Sequence, residues 1–309
     1  MSGPRVYCPS CGGDALRRMG PIPASNMFAG RYLEGELPGG VLWRCLMCHL
    51  AFRHPRPPKH ELDERYRHGH SDNWPDPVAN RTDWVLAAEL ISALPNVRHI
   101  LDVGCFDGKL LEYLGPKYVS LGIEIHEAAA QRARGRGVQI VASDFSDLEQ
   151  LRIDADVVLA LDVIEHTHDP RKFLESVVAA LKPGGWIILT TGNTEAFSWR
   201  LMKGSYWYCH IAEHLSFINP LWIHQAAREL ELNVVSIRSF SHAGSGGGLK
   251  QKWRELAGNL LLRFAPRLFA RLRRQGLGGI DIERYPGLAC VPPYWMTARD
   301  HMLVLLRKS

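Results

Sequence analysis

Three groups of residues in this 309-residue chain could do chemistry. The first is Cys8-Pro-Ser-Cys11 with Cys45-Leu-Met-Cys48. Each C-x-x-C knuckle lets two thiolates reach one ion, and two knuckles complete a tetrahedral four-sulfur site that would hold a structural Zn2+. A redox dithiol or two disulfides would use the same residues. Gly12-Gly13 behind Cys11 favours a knuckle turn over the helix start that a redox pair needs. The second group is Asp102-Val-Gly104-Cys105-Phe-Asp-Gly108, with Glu124 twenty residues past Gly104. Glycines here let a strand turn sharply into a helix whose first N–H groups face a ligand. A carboxylate at the tip of the next strand suits the two hydroxyls of a ribose. The spacing is G-x-x-x-G, neither the dinucleotide fingerprint nor a phosphate loop, so the site suits a nucleoside without a phosphate chain. The third group is rich in histidine: Glu165-His166, then Tyr206-Trp-Tyr208-Cys-His210-Ile-Ala-Glu213-His214. Histidine titrates near neutrality and is a natural proton acceptor.

Periodicity shows what must position these groups. Apolar runs predict strands near 98–103, 118–124, 138–141, 155–161 and 185–191. Helices starting near Gly108, His126, Ser146 and Asp169 alternate with them, which predicts a parallel sheet covered on both faces. Helical spacing over 78–94 predicts a helix before the first of these strands, covering the ligand. A further helix over 220–232, a strand over 234–240 and a last strand over 301–306 complete the pattern. Between the last two strands lies an insertion, 241–295, with a glycine-rich hinge at Gly244–Gly248. Within it, Trp253, Leu256, Leu260, Phe264, Leu268 and Leu272 recur at helical spacing among eight basic residues, and Pro266 breaks the run in two. Segment 249–275 reads either as a lid with its apolar stripe packed inward or as a membrane-surface element.

Hydrophobic residues make up 46% and charged residues 22%, ordinary globular values. Neither an N-terminal apolar core nor a run of 18 apolar residues is present. The expectation is a cytoplasmic protein, at most peripheral at the inner membrane surface. A formal net charge of +5 is too mild for a dedicated nucleic-acid binder.

In this order and at this spacing, residues 100–191 resemble the class I S-adenosylmethionine-dependent methyltransferases. Asp102-Val-Gly104-x-x-x-Gly108 is similar to the family's first motif, whose turn faces the methionine part of the cofactor. Glu124 is similar to its ribose-binding acid, and Ser143-Asp144-Phe145 to its adenine-edge motif. Asp156 to His166 is similar to the fourth strand with its Glu-His signature, and Leu181 to Thr191 to the fifth. The resemblance implies an α/β, Rossmann-like sheet, parallel with an antiparallel last strand. A small N-terminal zinc-ribbon module (1–58), a connector (59–97) and the methyltransferase domain (98–309) with its helical insertion then make up the chain. It also implies S-adenosyl-L-methionine held by Asp102, Gly104, Cys105, Gly108, Glu124, Ile125, Asp144, Phe145 and Leu161.

The front end is similar to that of bacterial sugar and secondary-metabolite methyltransferases. These carry a four-cysteine module, a Pro-rich connector (here Arg53–Pro58) and a Tyr-bearing helix (here Leu62–Tyr66). The implied substrate is a small molecule, sugar or glycan intermediate. Glu213-His214-Leu-x-Phe217 resembles a family element whose histidine faces the substrate, so His214 is the expected base and His166 the second candidate. An rRNA or tRNA methyltransferase is the alternative, and a cofactor-binding protein without turnover a third reading.

Overall fold

A computed structural model describes residues 5–29, 31–67, 81–241, 248–275 and 291–309. The cysteine knuckles flank a small antiparallel sheet. Its strands β1 (Leu16–Ile22), β4 (Gly40–Cys45) and β5 (Ala51–His54) are interrupted by a hairpin of β2 (Ser25–Phe28) and β3 (Arg31–Leu37). This hairpin is the excursion that fills the long spacing between the knuckles. The connector holds α1 (Lys59–Arg67) and α2 (Thr82–Ala93).

Next come β6 (His99–Val103), α3 (Lys109–Leu114), β7 (Val119–Ile123), α4 (Glu127–Gly135), β8 (Gln139–Ala142) and β9 (Ala155–Leu161). They are followed by α5 (Pro170–Ala179), β10 (Leu181–Gly192), α6 (Phe197–Met202), α7 (Trp207–His210), β11 (Ser216–Phe217), α8 (Pro220–Glu229) and β12 (Leu232–Phe240). The insertion supplies α9 (Leu249–Phe264) and α10 (Pro266–Arg274), and β13 (His301–Lys308) ends the fold. Local chemistry fixes several helix starts. Asp169 accepts the N–H groups of Arg171 and Lys172 with Pro170 at the first turn of α5, and Asn219 caps α8 at Trp222 in front of Pro220.

The large sheet has the order β12-β13-β10-β9-β6-β7-β8. Strands β6 to β10 pair in parallel, and β13 runs antiparallel to both β10 and β12. Six of the seven residues of β9 are buried, as a strand covered on both faces requires. The chain runs from β6 outward to β8 and then returns to β9 on the other side of β6. The crevice beyond the carboxyl ends of β6 and β9 is therefore the topological switch point, where such sheets bind ligands.

Three elements differ from the pattern in the sequence. The helix expected at Ser146 is a short 3-10 turn, Phe145–Glu149, capped by the Asp144 carboxylate on the Ser146 N–H. The helix expected over 78–94 begins at Thr82; residues 78–80 lie outside the described residues, as does most of the Gly244–Gly248 hinge. The insertion breaks at Ala265 and Pro266 as expected, but its stripe is packed inward only in part: Leu256 packs on the domain, while Trp253, Phe264 and Leu268 are exposed.

The cysteine module does not stand apart. β11 pairs with β5 through Ser216–Phe52 and Phe217–Ala51, extending the small sheet. Asn219 Nδ2 donates to the His49 carbonyl at 2.8 Å, and Trp222 Nε1 donates to Ser10 Oγ at 3.0 Å. Cys8, Cys45, Cys48, Leu50 and Phe52 share one apolar core with Ile218, Trp222 and the inner strands of the large sheet.

Candidate active site

β6 ends at Val103, where Gly104 (φ 77°) and Phe106 (φ 49°) turn the chain into α3. A Cβ on Gly104 would lie 3.0 Å from Val163, and one on Gly108 (φ 79°) would lie 2.9 Å from Val138. Only glycine fits both the angle and the space. The N–H groups of Gly104 and Cys105 donate to the Ile123 carbonyl, fastening the turn to the end of β7. The Cys105 thiol packs against Gly122, so this residue steadies the turn from inside. Glu124 grips the turn from above: Oε2 accepts the Phe106 N–H and Oε1 the His126 N–H, each at 2.8 Å. Each oxygen keeps a second acceptor position, which fits the paired hydroxyls of a ribose.

Asp102 is buried beneath this turn. Burial and the neighbouring Glu124 push its carboxyl up to about 8, with Arg81 opposing. Arg81 bonds to Asp83 and, at 3.0 Å, to Asp162 Oδ2. Asp162 sits just past β9 in a left-handed conformation, its other oxygen accepting the Thr190 hydroxyl at 3.1 Å. The crevice thus carries the Asp102 carboxyl, the side chains of Glu124 and Asp162, and the Arg81 guanidinium with its partner Asp83. That set fits a ligand bearing a sulfonium, an ammonium and a carboxylate. Leu161 and Ile125 are partly buried at the tips of β9 and β7. Past β8, Asp144 receives Lys59 Nζ at 3.0 Å, and the Phe145 ring meets Phe173 edge-on at 5.0 Å.

On the far side of the crevice lies a buried polar cluster. Glu165 accepts the Tyr208 hydroxyl at 2.5 Å and the Thr191 hydroxyl at 2.9 Å. Burial raises its carboxyl to about 7. The His166 and His214 rings meet edge-on, 4.8 Å between centroids. His214 donates Nδ1–H to the Tyr208 carbonyl at 3.0 Å, leaving Nε2 as the acceptor, and burial then His166 hold its pKa far below the usual value. His166 is only partly buried, its Nδ1 lies 2.9 Å from the Tyr66 hydroxyl, and desolvation lowers its pKa to about 4. One oxygen of Glu165 and one nitrogen from each histidine lie within 4.8 Å of one another. Glu213 accepts the Ala29 N–H at 2.7 Å through Oε1, while Oε2 has no partner among the described residues; burial raises this carboxyl to about 7. Tyr66 comes from α1 and Ala29 from the β2–β3 hairpin, so connector and cysteine module roof the cluster.

The four N-terminal cysteines converge. Cys8 Sγ lies 3.5 Å from Cys48 Sγ, and Cys11 Sγ lies 3.6 Å from Cys45 Sγ. A disulfide needs about 2.05 Å. A tetrahedral zinc with Zn–S near 2.3 Å separates its sulfurs by about 3.8 Å. The Met47 and Cys48 N–H groups point at Cys45 Sγ, as a knuckle turn requires. The Cys48 thiol draws Cys8 down to about 5, while burial lifts Cys11 to about 11. Four sulfurs this close cannot all ionise without a cation between them.

A family model described as a methyltransferase domain matches residues 60–237, more than half of the chain. The chain belongs to that family. It is an S-adenosylmethionine-dependent methyltransferase. Ubiquinone biosynthesis O-methyltransferases are among its curated relatives. The protein from Bordetella avium is 28% identical over 178 residues, spanning 52% of this chain and 72% of the relative. The one from Alkalilimnicola ehrlichii is also 28% identical, over 52% of this chain and 70% of its own. Among solved structures, a SAM-dependent methyltransferase from Archaeoglobus fulgidus is similar at 16% identity and a TM-score of 0.46, covering 81% of this chain and all of its own.

The matched segment of the methyltransferase begins at α1 and leaves out the four cysteines. Within it, the structure brings Asp102, Gly104, Gly108 and Glu124 to one turn, and His166 and His214 into ring contact. It also brings in residues that sequence reasoning missed. Arg81 and Asp162 complete the charge pattern of the crevice, Tyr66 meets His166, and Glu213 holds the hairpin through Ala29. Asp162 carried a signal, following the apolar run of β9 directly. Arg81 carried none, since its partners lie 2 and 81 positions away.

His210 of the methyltransferase is buried, and neither ring nitrogen has a partner among the described residues. Burial, then Arg53, lowers its pKa from 6.5 to about 4. The unfolded chain therefore takes up a proton there as the pH falls below 6.5, while the folded one stays neutral to about 4, so stability is lost across that window. His210→Phe should equal wild type near neutrality and exceed it by about 2 kcal/mol at about pH 5. Urea midpoints at the two pH values check this, and an unchanged difference would contradict it.

Proposed function

We propose that the enzyme transfers a methyl group to an oxygen of a small-molecule acceptor, a sugar or glycan intermediate, held beneath the cysteine module. The observation that carries this reading is the histidine pair in ring contact beside Glu165 past the end of β9, roofed by Tyr66. An oxygen acceptor is also the kind named for the O-methyltransferase relatives. S-adenosylmethionine supplies the methyl group on a sulfonium and leaves as a neutral thioether.

The chain's own work is to align and to deprotonate. In-line attack needs the acceptor oxygen fixed behind the methyl carbon, and well-oriented reactants account for much of such a rate. Glu213 and Tyr66 offer an acceptor and a donor for a polyhydroxyl substrate. The new C–O bond forms as the S–C bond breaks, and the acceptor's proton passes to a histidine. His166, whose Nδ1 meets the Tyr66 hydroxyl, is the less buried of the two rings and takes the proton in this reading. His214, further buried, holds the ring from behind. We keep His214 and His166 as the catalytic pair, Asp102, Gly104, Cys105, Gly108, Glu124, Ile125, Asp144, Phe145 and Leu161 as the cofactor site, and Cys8, Cys11, Cys45 and Cys48 as a structural zinc site. The proposed division is 1–58 for the zinc module, 59–97 for the connector and 98–309 for catalysis.

The test is transfer of a labelled methyl group to a panel of sugars and small phenols. His166→Ala and His214→Ala should each lower turnover about 10²-fold and leave S-adenosylmethionine affinity unchanged. Because desolvation holds His166 to about 4, wild-type turnover should stay level on the acid side until the pH nears that value. Wild-type turnover in both variants would overturn the base assignment.

A further inference from the structure

Helices α9 and α10 turn only part of their apolar surface inward, through Leu256, Leu262 and Phe269. The inward side of α9 carries Glu255 and Asn259, with Glu255 Oε2 accepting both the N–H and the hydroxyl of Thr297, at 3.0 and 2.6 Å. The outward side carries Leu249, Trp253 and Phe264; Trp253 is 63% exposed and Phe264 72%. Trp253 and Phe264 are eleven residues apart, about three full turns, so they share one face with Leu260 between them. Leu268 continues the exposed apolar surface onto α10.

Charge frames this stripe. Lys250, Lys252, Arg254 and Arg263 on α9, with Arg267, Arg271 and Arg274 on α10, are all exposed. The single acid of the segment, Glu255, is turned inward. On α9 the basic side chains lie to either side of the apolar line. In that position their stems can lie along hydrocarbon while their heads reach acidic groups. Exposed apolar side chains gain by leaving water for an apolar interior, and basic side chains around them add attraction to anionic headgroups. No helix of the described residues is long and apolar enough to cross a membrane, so contact would be in the interfacial plane.

We infer that α9 and α10 form a docking surface for an anionic lipid bilayer, with Trp253, Phe264 and Leu268 entering the headgroup boundary and the flanking Lys and Arg side chains meeting lipid phosphates. The surface is tied to the active site. Leu256 and Leu262, on the inner side of α9, pack against the cluster of Trp199, Tyr206, Tyr208 and Trp295, and the Tyr208 hydroxyl bonds to Glu165. Docking would place the acceptor side of the enzyme against the bilayer.

The experiment is co-sedimentation of the full chain with phosphatidylcholine vesicles, with and without phosphatidylglycerol. The protein should pellet with the anionic vesicles alone, with apparent affinity falling at least about tenfold from low to high salt. Arg267→Glu with Arg271→Glu should weaken binding about a hundredfold, and Trp253→Ala with Phe264→Ala should abolish it, both variants keeping the wild-type melting temperature because these side chains are exposed. Three results would each overturn the inference: wild-type protein left in solution with anionic vesicles at low salt, variants that bind as tightly as wild type, or a short RNA that binds these residues more tightly than the vesicles do.

Discussion

With the proposed zinc on the four cysteines, Cys45→Ser is expected to cost the N-terminal module that metal and the protein most of its activity together. A structural zinc contributes about 10–16 kcal/mol of apparent binding energy at neutral pH, comparable to or larger than the ~5–15 kcal/mol that holds an ordinary domain folded. Losing one thiolate would open the proposed tetrahedron and remove the staple between the two knuckles, whose Cys8, Cys45 and Cys48 lie in the core shared with the large sheet. The damage would not stay local. β5 carries β11 on its edge, with the Arg53 N–H bonded to the Leu215 carbonyl at 3.0 Å. The hairpin between the knuckles holds Glu213 through Ala29. Unfolding the module would therefore release the segment that carries Glu213 and His214. Elemental analysis should find one zinc per wild-type chain and almost none in the variant, with turnover down at least about 10²-fold. A metal-free wild-type protein that keeps its fold and turnover would contradict this.

The second large effect is expected at Glu124. Glu124→Ala removes the proposed acceptor for two ribose hydroxyls, and hydrogen bonds to a charged group are worth about 1.5–3 kcal/mol each, so cofactor affinity should fall tenfold or more. The same change leaves the Phe106 and His126 N–H groups without their acceptor and loosens the turn they hold. Glu124→Gln, which keeps one carbonyl acceptor, should lie between. Calorimetry with S-adenosylmethionine measures all three proteins, and equal affinities would remove Glu124 from the site.

The sheet was legible because its signals are local. Strands β6, β7 and β9 are short apolar runs followed at once by Gly104, Glu124 and Asp162, and the Gly104–Gly108 turn lies within seven residues of Asp102. The acceptor side was legible only in part. The Glu-His pair after β9 and the histidines near 210 stand out by type, but their assembly depends on contacts that no local pattern encodes. Tyr66 meets His166 across 100 positions, and Ala29 meets Glu213 across 184. The pairing of β5 with the two-residue β11 is equally silent, since two residues carry no periodicity. The segment 249–275 showed its amphipathic pattern plainly, yet which face turns outward was fixed by Glu255 bonding to Thr297, 42 positions away.

The most direct measurement is a crystal structure of the full chain with S-adenosylhomocysteine, the demethylated product of the cofactor. The ribose hydroxyls should rest on the Glu124 carboxylate, the amino-acid part should lie against the Gly104–Gly108 turn near Arg81 and Asp162, and the sulfur should face His166. A ligand bound away from the tips of β6 and β7, or none at a concentration that saturates binding in solution, would contradict the account.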